Sequence, residues 1–195
     1  MNERQWAQAD RDRRRIRSFV AAVGAASLWC CAAALAAEQR SYGGEARDWN
    51  IAPTTVLRTS EYHAPTPREI PGGRVVRTLE LVAMLGKGPR PYLIDVLGGG
   101  VHRTIAGAFW LAGAGAGDMS AEEKQRFDRA LGNFAAGDKG RPLVFFCSDA
   151  QCWLSYNAAL RAIAAGYTNI MWYRGGIAAW HHADQPMQQS EPFAW

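Results

Sequence analysis

The chain has 195 residues, four of them Cys, and a formal charge of +4. That length accommodates one domain with a full core and not comfortably two. Residues 1–36 carry six Arg against Glu3, Asp10 and Asp12, so of the 22 basic and 18 acidic residues overall, 16 and 15 remain in the rest. A body so nearly neutral gives no sign of nucleic-acid binding, which needs a basic stripe on the folded domain itself.

Arg11, Arg13, Arg14, Arg15 and Arg17 precede an Ala-rich apolar run from Phe19 to Leu35, and Ala34-Leu35-Ala36 has the small-x-small form that a signal peptidase accepts. Residues 1–36 are therefore expected to be a signal peptide cleaved after Ala36, with the mature protein periplasmic. An uncleaved anchor is the alternative, because the run approaches the ~18 apolar residues of a spanning helix; Ala, a weak membrane former, speaks against it. Either way the domain lies outside the cytoplasm. Arg14-Arg15-Ile16 is a poor twin-arginine pattern, and the export route stays open. Cys30 and Cys31 lack the Leu-x-small approach of a lipoprotein signal and leave with the leader. Only Cys147 and Cys152 remain, so any intramolecular disulfide joins those two and a structural disulfide framework is excluded.

Residues 37–61, polar and without sustained period, read as a loosely ordered lead-in. Val75-Val76 is a short strand; Thr78 is placed to cap a helix carrying Leu79, Val82 and Leu85, stopped by Gly86, Gly88 and Pro89. Tyr92 to Val96 reads as a buried strand containing a carboxylate, Asp95. Ala108 to Leu111 is a further strand, and Gly113-x-Gly115-x-Gly117 a flexible rim, since it has neither the Lys of a phosphate loop nor the context of a dinucleotide fingerprint. Ser120 to Glu123 is a capping box ahead of a helix with Phe127, Leu131 and Phe134 on one face. Leu143 to Phe146 (strand), Trp153 to Ala165 (helix, closed by Gly166), Ile170 to Tyr173 (strand) and a short helix through Trp180 complete the pattern. Apolar strands alternating with helices imply an α/β fold with a mainly parallel sheet covered on both faces. In such sheets reactive loops gather at the carboxyl ends of the strands.

Phe145 to Trp153 (FFCSDAQCW) is the most telling stretch. An apolar strand ends in Cys147, and Cys152 opens the next helix, where unpaired backbone N–H groups and the macrodipole favour a thiolate. The N–H groups of Ser148, Asp149, Ala150, Gln151 and Cys152 can converge on a thiolate or an anionic donor. Two retained thiols at such a junction favour function over a pair of inert buried side chains, provided that Cys147 is ionised and reachable.

Leu93-Ile94-Asp95-Val96, Ile105-Ala106-Gly107-Ala108, Phe146-Cys147, Ala165-Gly166-Tyr167 and Trp172-Tyr173-Arg174-Gly175-Gly176 with Trp180 together resemble a rhodanese-like domain. More narrowly, Tyr62 to Pro67, Trp110-Leu111 with the glycines that follow, and Cys147 to Ala159 (C-x-x-x-x-C-W-x-S-x-N-A-A) resemble exported proteins named for a CXXCW motif and associated with PQQ-dependent catabolism. The resemblance implies a single rhodanese-like domain over 62–186, with a five-stranded sheet, and a C-terminal tail over 187–195. It further implies that Cys147 takes sulfane sulfur as a persulfide and hands it on, with Cys152 as second thiol and Ser148, Asp149, Ala150, Gln151 and Trp153 forming the substrate cradle. The expected partners are a protein or small persulfide as donor and acceptor, and an exported PQQ-dependent dehydrogenase system. No nucleic acid, membrane after cleavage, cofactor or metal is expected.

Three departures qualify the resemblance. Asp149 is the only charged residue in the loop, where many active rhodaneses carry basic residues, so thiosulfate is expected to be a poor donor. Cys152 stands where an Arg often closes the loop. Thr104 and Ala106 replace the more usual His and Pro, which touches fold support more than chemistry. Rhodanese-like phosphatases need an Arg at the position of Trp153, whose indole cannot grip phosphate bidentately, and that activity is dropped. Two other classes stay open: a thiol–disulfide redox protein, although C-x-x-x-x-C is longer than the oxidoreductase spacing and the thiols must come within disulfide reach, and a non-catalytic binding or assembly module. Zinc held by both thiols with His181-His182 matches no common ligand spacing.

Overall fold

A computed structural model describes residues 41–195; the expected signal peptide at residues 1–36 lies outside the described residues. Among the described residues no helix is long and apolar enough to cross a membrane. The elements run β1 (Arg74–Val76), α1 (Thr78–Leu85), β2 (Tyr92–Asp95), β3 (Arg103–Ile105), β4 (Phe109–Trp110), α2 (Ala121–Ala135), β5 (Leu143–Phe146), α3 (Trp153–Ala164), β6 (Ile170–Tyr173), α4 (Gly176–His182) and β7 (Met187–Gln189). Five strands form one sheet in the order β1-β6-β5-β2-β4, every neighbouring pair parallel.

The strands alternate their side chains between two buried layers, as a pleat covered on both faces must. Ile94, Phe145, Ile170 and Trp172 meet Phe127, Leu131 and Phe134 of α2 and Tyr156, Ala159 and Leu160 of α3. Leu93, Val144, Phe146, Met171 and Tyr173 meet Leu81 of α1 and Ala179 and Trp180 of α4. Each large apolar side chain so buried contributes about 1.5–3 kcal/mol, which is why short strands of three or four residues suffice.

α2 begins with the expected capping box: Ser120 accepts from the Glu123 backbone while the Glu123 carboxylate accepts from the Ser120 N–H. The expected cap on α1 does not form. Arg77 is the N-cap residue and gives no side-chain hydrogen bond. Thr78 is the first helical residue, and its hydroxyl is engaged instead by Glu45 and Tyr173, both long-range partners. Burial pushes the Tyr173 phenol well above its ordinary range, so it stays a neutral hydrogen-bonding group.

A second, two-stranded antiparallel sheet was not expected. β3 pairs with β7, so part of the stretch read as a tail returns to the domain. Phe193 follows it, donating its N–H to the Trp110 carbonyl at 2.9 Å and packing on Phe109 and Phe134. Three residues of mixed polarity such as Met187-Gln188-Gln189 carry no period strong enough to announce a strand.

Residues 41–61 contain no helix or strand, but their backbone is tied to α3. The Thr54 N–H donates to the Tyr156 hydroxyl at 3.0 Å, which in turn donates to the Thr54 carbonyl at 2.9 Å. Asn157 accepts from the Arg58 N–H at 3.0 Å and donates to the Arg58 carbonyl at 2.8 Å. A buried amide that pairs both backbone groups of one residue fixes an otherwise irregular segment.

The glycine run after β4 is likewise held rather than free. Asn157 also donates to the Gly115 carbonyl, Arg161 reaches the carbonyls of Ala116 and Gly117, and the Gly117 N–H donates to the Tyr62 hydroxyl. A Cβ at Gly115 would collide with the Leu154 backbone, so glycine is required there for close approach to α3. The expectation of a flexible rim is therefore replaced by a clamped one. The repeat of glycines resembles a loop in sequence, and it is the polar side chains of α3, with Tyr62, that pair its backbone groups.

Candidate active site

Cys147 directly follows β5, at the carboxyl edge of the sheet, and Cys152 is the N-cap residue of α3. The structure joins the two as a disulfide, with Cα atoms 6.3 Å apart. That separation lies inside the range a disulfide accepts, so the longer spacing that weighed against a redox pair is absorbed by the curl of the loop. Cys152 N–H donates to the Asp149 carbonyl at 3.1 Å, and the Asp149 carboxylate accepts from the Gln151 N–H at 2.7 Å. These two turns bring the cysteines together.

The open amide cradle expected over Ser148 to Trp153 takes a different form. Gln151 and Cys152 N–H groups are used within the loop, and the Trp153 N–H donates to the Tyr62 carbonyl at 2.8 Å. Within the loop, the N–H groups of Ser148, Asp149 and Ala150 have no acceptor among the described residues. The sulfurs are not open to solvent either: Cys147 is 1% exposed and Cys152 4%, both within the apolar layer that holds Trp153, Tyr156 and Trp172. The expected reachable thiolate is thus absent from this state, because a disulfide neutralises both sulfurs and an arm of chain covers the loop.

That arm is Tyr62 to Thr66. It meets the loop through a bridge between His63 and Cys152, the Ala64 N–H donating to the Gln151 carbonyl at 2.8 Å. The Thr66 hydroxyl donates to the Ala150 carbonyl at 2.6 Å. Arg174, 1% exposed, supports the arm from beneath: Nε donates to the Thr66 hydroxyl, Nη2 to the Thr66 carbonyl and Nη1 to the Glu45 carbonyl, at 3.0, 3.0 and 2.7 Å. Its guanidinium also lies 4.7 Å from the centre of the Trp49 ring. Burial, with repulsion from Arg68, pushes the Arg174 pKa down to about 10, against the opposing pull of Asp48; the group is still charged at neutral pH.

Trp153, read as either a pocket wall or a helix anchor, is an anchor. Its indole N–H donates to the Pro65 carbonyl at 3.1 Å, and its ring packs edge-on against Tyr156. On the other side of the loop, α4 approaches through Gly176, which has a φ of +58° and would drive any Cβ into the Cys147 carbonyl. Ile177 and Ala178 N–H groups donate to the Cys147 and Ser148 carbonyls at 2.9 and 2.8 Å.

Asp95 ends β2 fully buried and accepts from the Leu97 N–H, the Thr104 hydroxyl and the His102 Nε2, at 2.9, 2.6 and 2.8 Å. Thr104 thereby supplies the fold support that its replacement of a more usual residue put in question. The His102 N–H donates to the Ser190 hydroxyl at 2.9 Å, and neither residue was read from the sequence as part of this network; its only signal there was a strand-end carboxylate in need of donors.

A cavity of about 450 Å³ opens beside the loop, lined by Ser148, Asp149, His102, Ile177, His181 and His182 among others. A cavity of about 510 Å³ on the lead-in, lined by Asp48, Asn50 and Arg68, holds no nucleophile. Among the described residues no group of three or more His, Cys, Asp or Glu side chains is placed to hold a metal ion.

Residues 78–183 match the family described as the Rhodanese-like domain. Among solved structures the chain is similar to a thiosulfate sulfurtransferase from Pseudomonas aeruginosa, at 20% identity and a TM-score of 0.44, over 69% of this chain and 22% of that one. The chain thus spans about a fifth of that protein's length. No curated protein matches it.

Proposed function

The chain belongs to the rhodanese-like family, and on that premise we propose that it is an exported sulfurtransferase in which Cys147 takes up sulfane sulfur as a persulfide and passes it to a thiol acceptor. The observation that carries this reading is the position of Cys147: it is the first residue after β5, at the carboxyl edge of a parallel sheet, in a loop whose Ser148 and Asp149 line the 450 Å³ cavity. Reduction of the disulfide is the first step, since only a thiolate accepts sulfur. Ser148, Asp149 and Ala150 N–H groups then remain to steady negative charge on the sulfur or the donor, with Gln151 and Trp153 holding the loop to its covering arm. Incubating the reduced protein with a small persulfide, followed by mass spectrometry, is expected to add one sulfur atom at Cys147. A protein that acquires none is not a sulfurtransferase of this kind.

Thiosulfate is expected to be a weak donor. It is a dianion, and the Asp149 carboxylate lines the cavity through which it must come. Removing one unit charge at a partly buried site changes the encounter by on the order of 1 kcal/mol. Asp149→Asn keeps an acceptor for the Gln151 N–H and is expected to raise kcat/KM for thiosulfate about fivefold while leaving a neutral persulfide donor unaffected. An equal change for both donors would show that charge is not the cause.

The resemblance over Cys147 to Ala159 supports a place beside an exported PQQ-dependent dehydrogenase in alcohol catabolism, with the protein acting in the periplasm. The arginine-rich start and the apolar run support export, and sequencing the secreted chain is expected to find Ala37 at its N-terminus; retention of Met1 in the cytoplasmic fraction contradicts it. The disulfide between Cys147 and Cys152 favours a second reading, a thiol–disulfide redox protein. The two separate cleanly, because a redox protein exchanges electrons with dithiols and never carries an added sulfur.

A further inference from the structure

We propose that Cys152 discharges the loaded Cys147 by internal attack, so that the sulfane sulfur leaves as hydrosulfide and the protein is left as the Cys147–Cys152 disulfide. This rests on the reading that Cys147 is loaded, and it names what happens to the sulfur next. The Cys152 thiolate attacks the inner sulfur of the Cys147 persulfide; the new bond joins the two cysteine sulfurs, the bond to the outer sulfur breaks, and that sulfur leaves with the electron pair as HS⁻. The sulfane sulfur is reduced by two electrons and the two cysteine sulfurs are oxidised by two. A dithiol reductant then reopens the disulfide for the next cycle.

Three observations point to this step. The disulfide forms with the loop turns in place and the Cα atoms 6.3 Å apart, so the product of the attack is the folded state itself. Cys152 is the N-cap residue of the twelve-residue helix α3, where the macrodipole favours the thiolate, and it has no side-chain capping bond to give up. The arm carrying His63 and Ala64 covers the loop, and both cysteines are nearly fully buried. An external acceptor must reach a nearly fully buried sulfur, whereas a thiol five residues away is already within bonding distance, an advantage of effective concentration. Hydrosulfide is also a better leaving group than an alkyl thiolate, which favours attack at the inner sulfur.

The test uses the full chain, reduced and then loaded with glutathione persulfide, freed of donor by rapid gel filtration and followed without reductant. The expected result is release of one equivalent of sulfide per chain, with intact mass and peptide mapping showing the Cys147–Cys152 disulfide. Cys152→Ser is expected to load normally and hold its persulfide, with sulfide release slowed more than tenfold until an external thiol is added; Cys152→Ala serves the same purpose should the serine variant not fold. If wild type and both variants load and lose sulfide at the same rate, internal discharge is wrong while loading stands. If none of them loads, the sulfurtransferase reading falls and this step with it.

Discussion

Replacing Cys147 by Ser is expected to lower the rate of sulfane-sulfur uptake at least about 10³-fold, to the background of the unmodified chain. A hydroxyl is not ionised near neutral pH and forms no persulfide, whereas the thiolate is both the nucleophile and the carrier. The substitution is nearly isosteric at a fully buried position, so the fold is expected to survive, and the variant also removes the disulfide. The comparison with Cys152→Ser sharpens it: each variant lacks the disulfide, but only the change at Cys147 removes uptake. Equal loss in the two variants would mean that uptake needs both thiols and that Cys147 is not the carrier by itself. Uptake is read by mass spectrometry and by release of sulfur to cyanide.

Arg174→Ala is expected to destabilise the domain by about 4 kcal/mol, lowering the melting temperature by about 10 °C. The guanidinium satisfies the carbonyls of Glu45 and Thr66 and the Thr66 hydroxyl at once, and stacks on Trp49. Truncation leaves those buried acceptors without donors and opens a cavity where a large side chain was fully enclosed. Lysine keeps the charge but has no planar fork to reach two chain segments, so Arg174→Lys is expected to fall between wild type and alanine. A melting temperature for Arg174→Ala within 2 °C of wild type would show that the lead-in and the arm are held by other contacts. A side chain that ties residues 45 and 66 to the end of β6 joins three distant parts of the chain, which is why its loss is costly.

The elements themselves were largely legible. β5 and β6 are apolar runs of four residues, β2 is a shorter one closed by Asp95, α2 has a reciprocal cap and an apolar face, and each agrees with its place in the fold. Local signals of this kind are independent of partners, because turns, caps and burial on both faces are written in the residues that make them. β3 and β7 were not legible. Each has three residues, and their pairing depends on a neighbour more than 80 positions away.

The loop between the cysteines divides along the same line. Sequence alone placed two thiols at the junction of a strand and a helix, since that junction is a local property, and the expected loss of Cys30 and Cys31 with the leader pointed any disulfide to that pair. Tertiary structure decided that Cys147 and Cys152 are joined, that the amides of Gln151, Cys152 and Trp153 are engaged, and that the Tyr62 to Thr66 arm lies over them with Arg174 beneath. Hydrogen bonds between segments brought together only by folding have no periodicity or motif to announce them. Their partners are chosen by burial, which demands that every enclosed donor and acceptor be met.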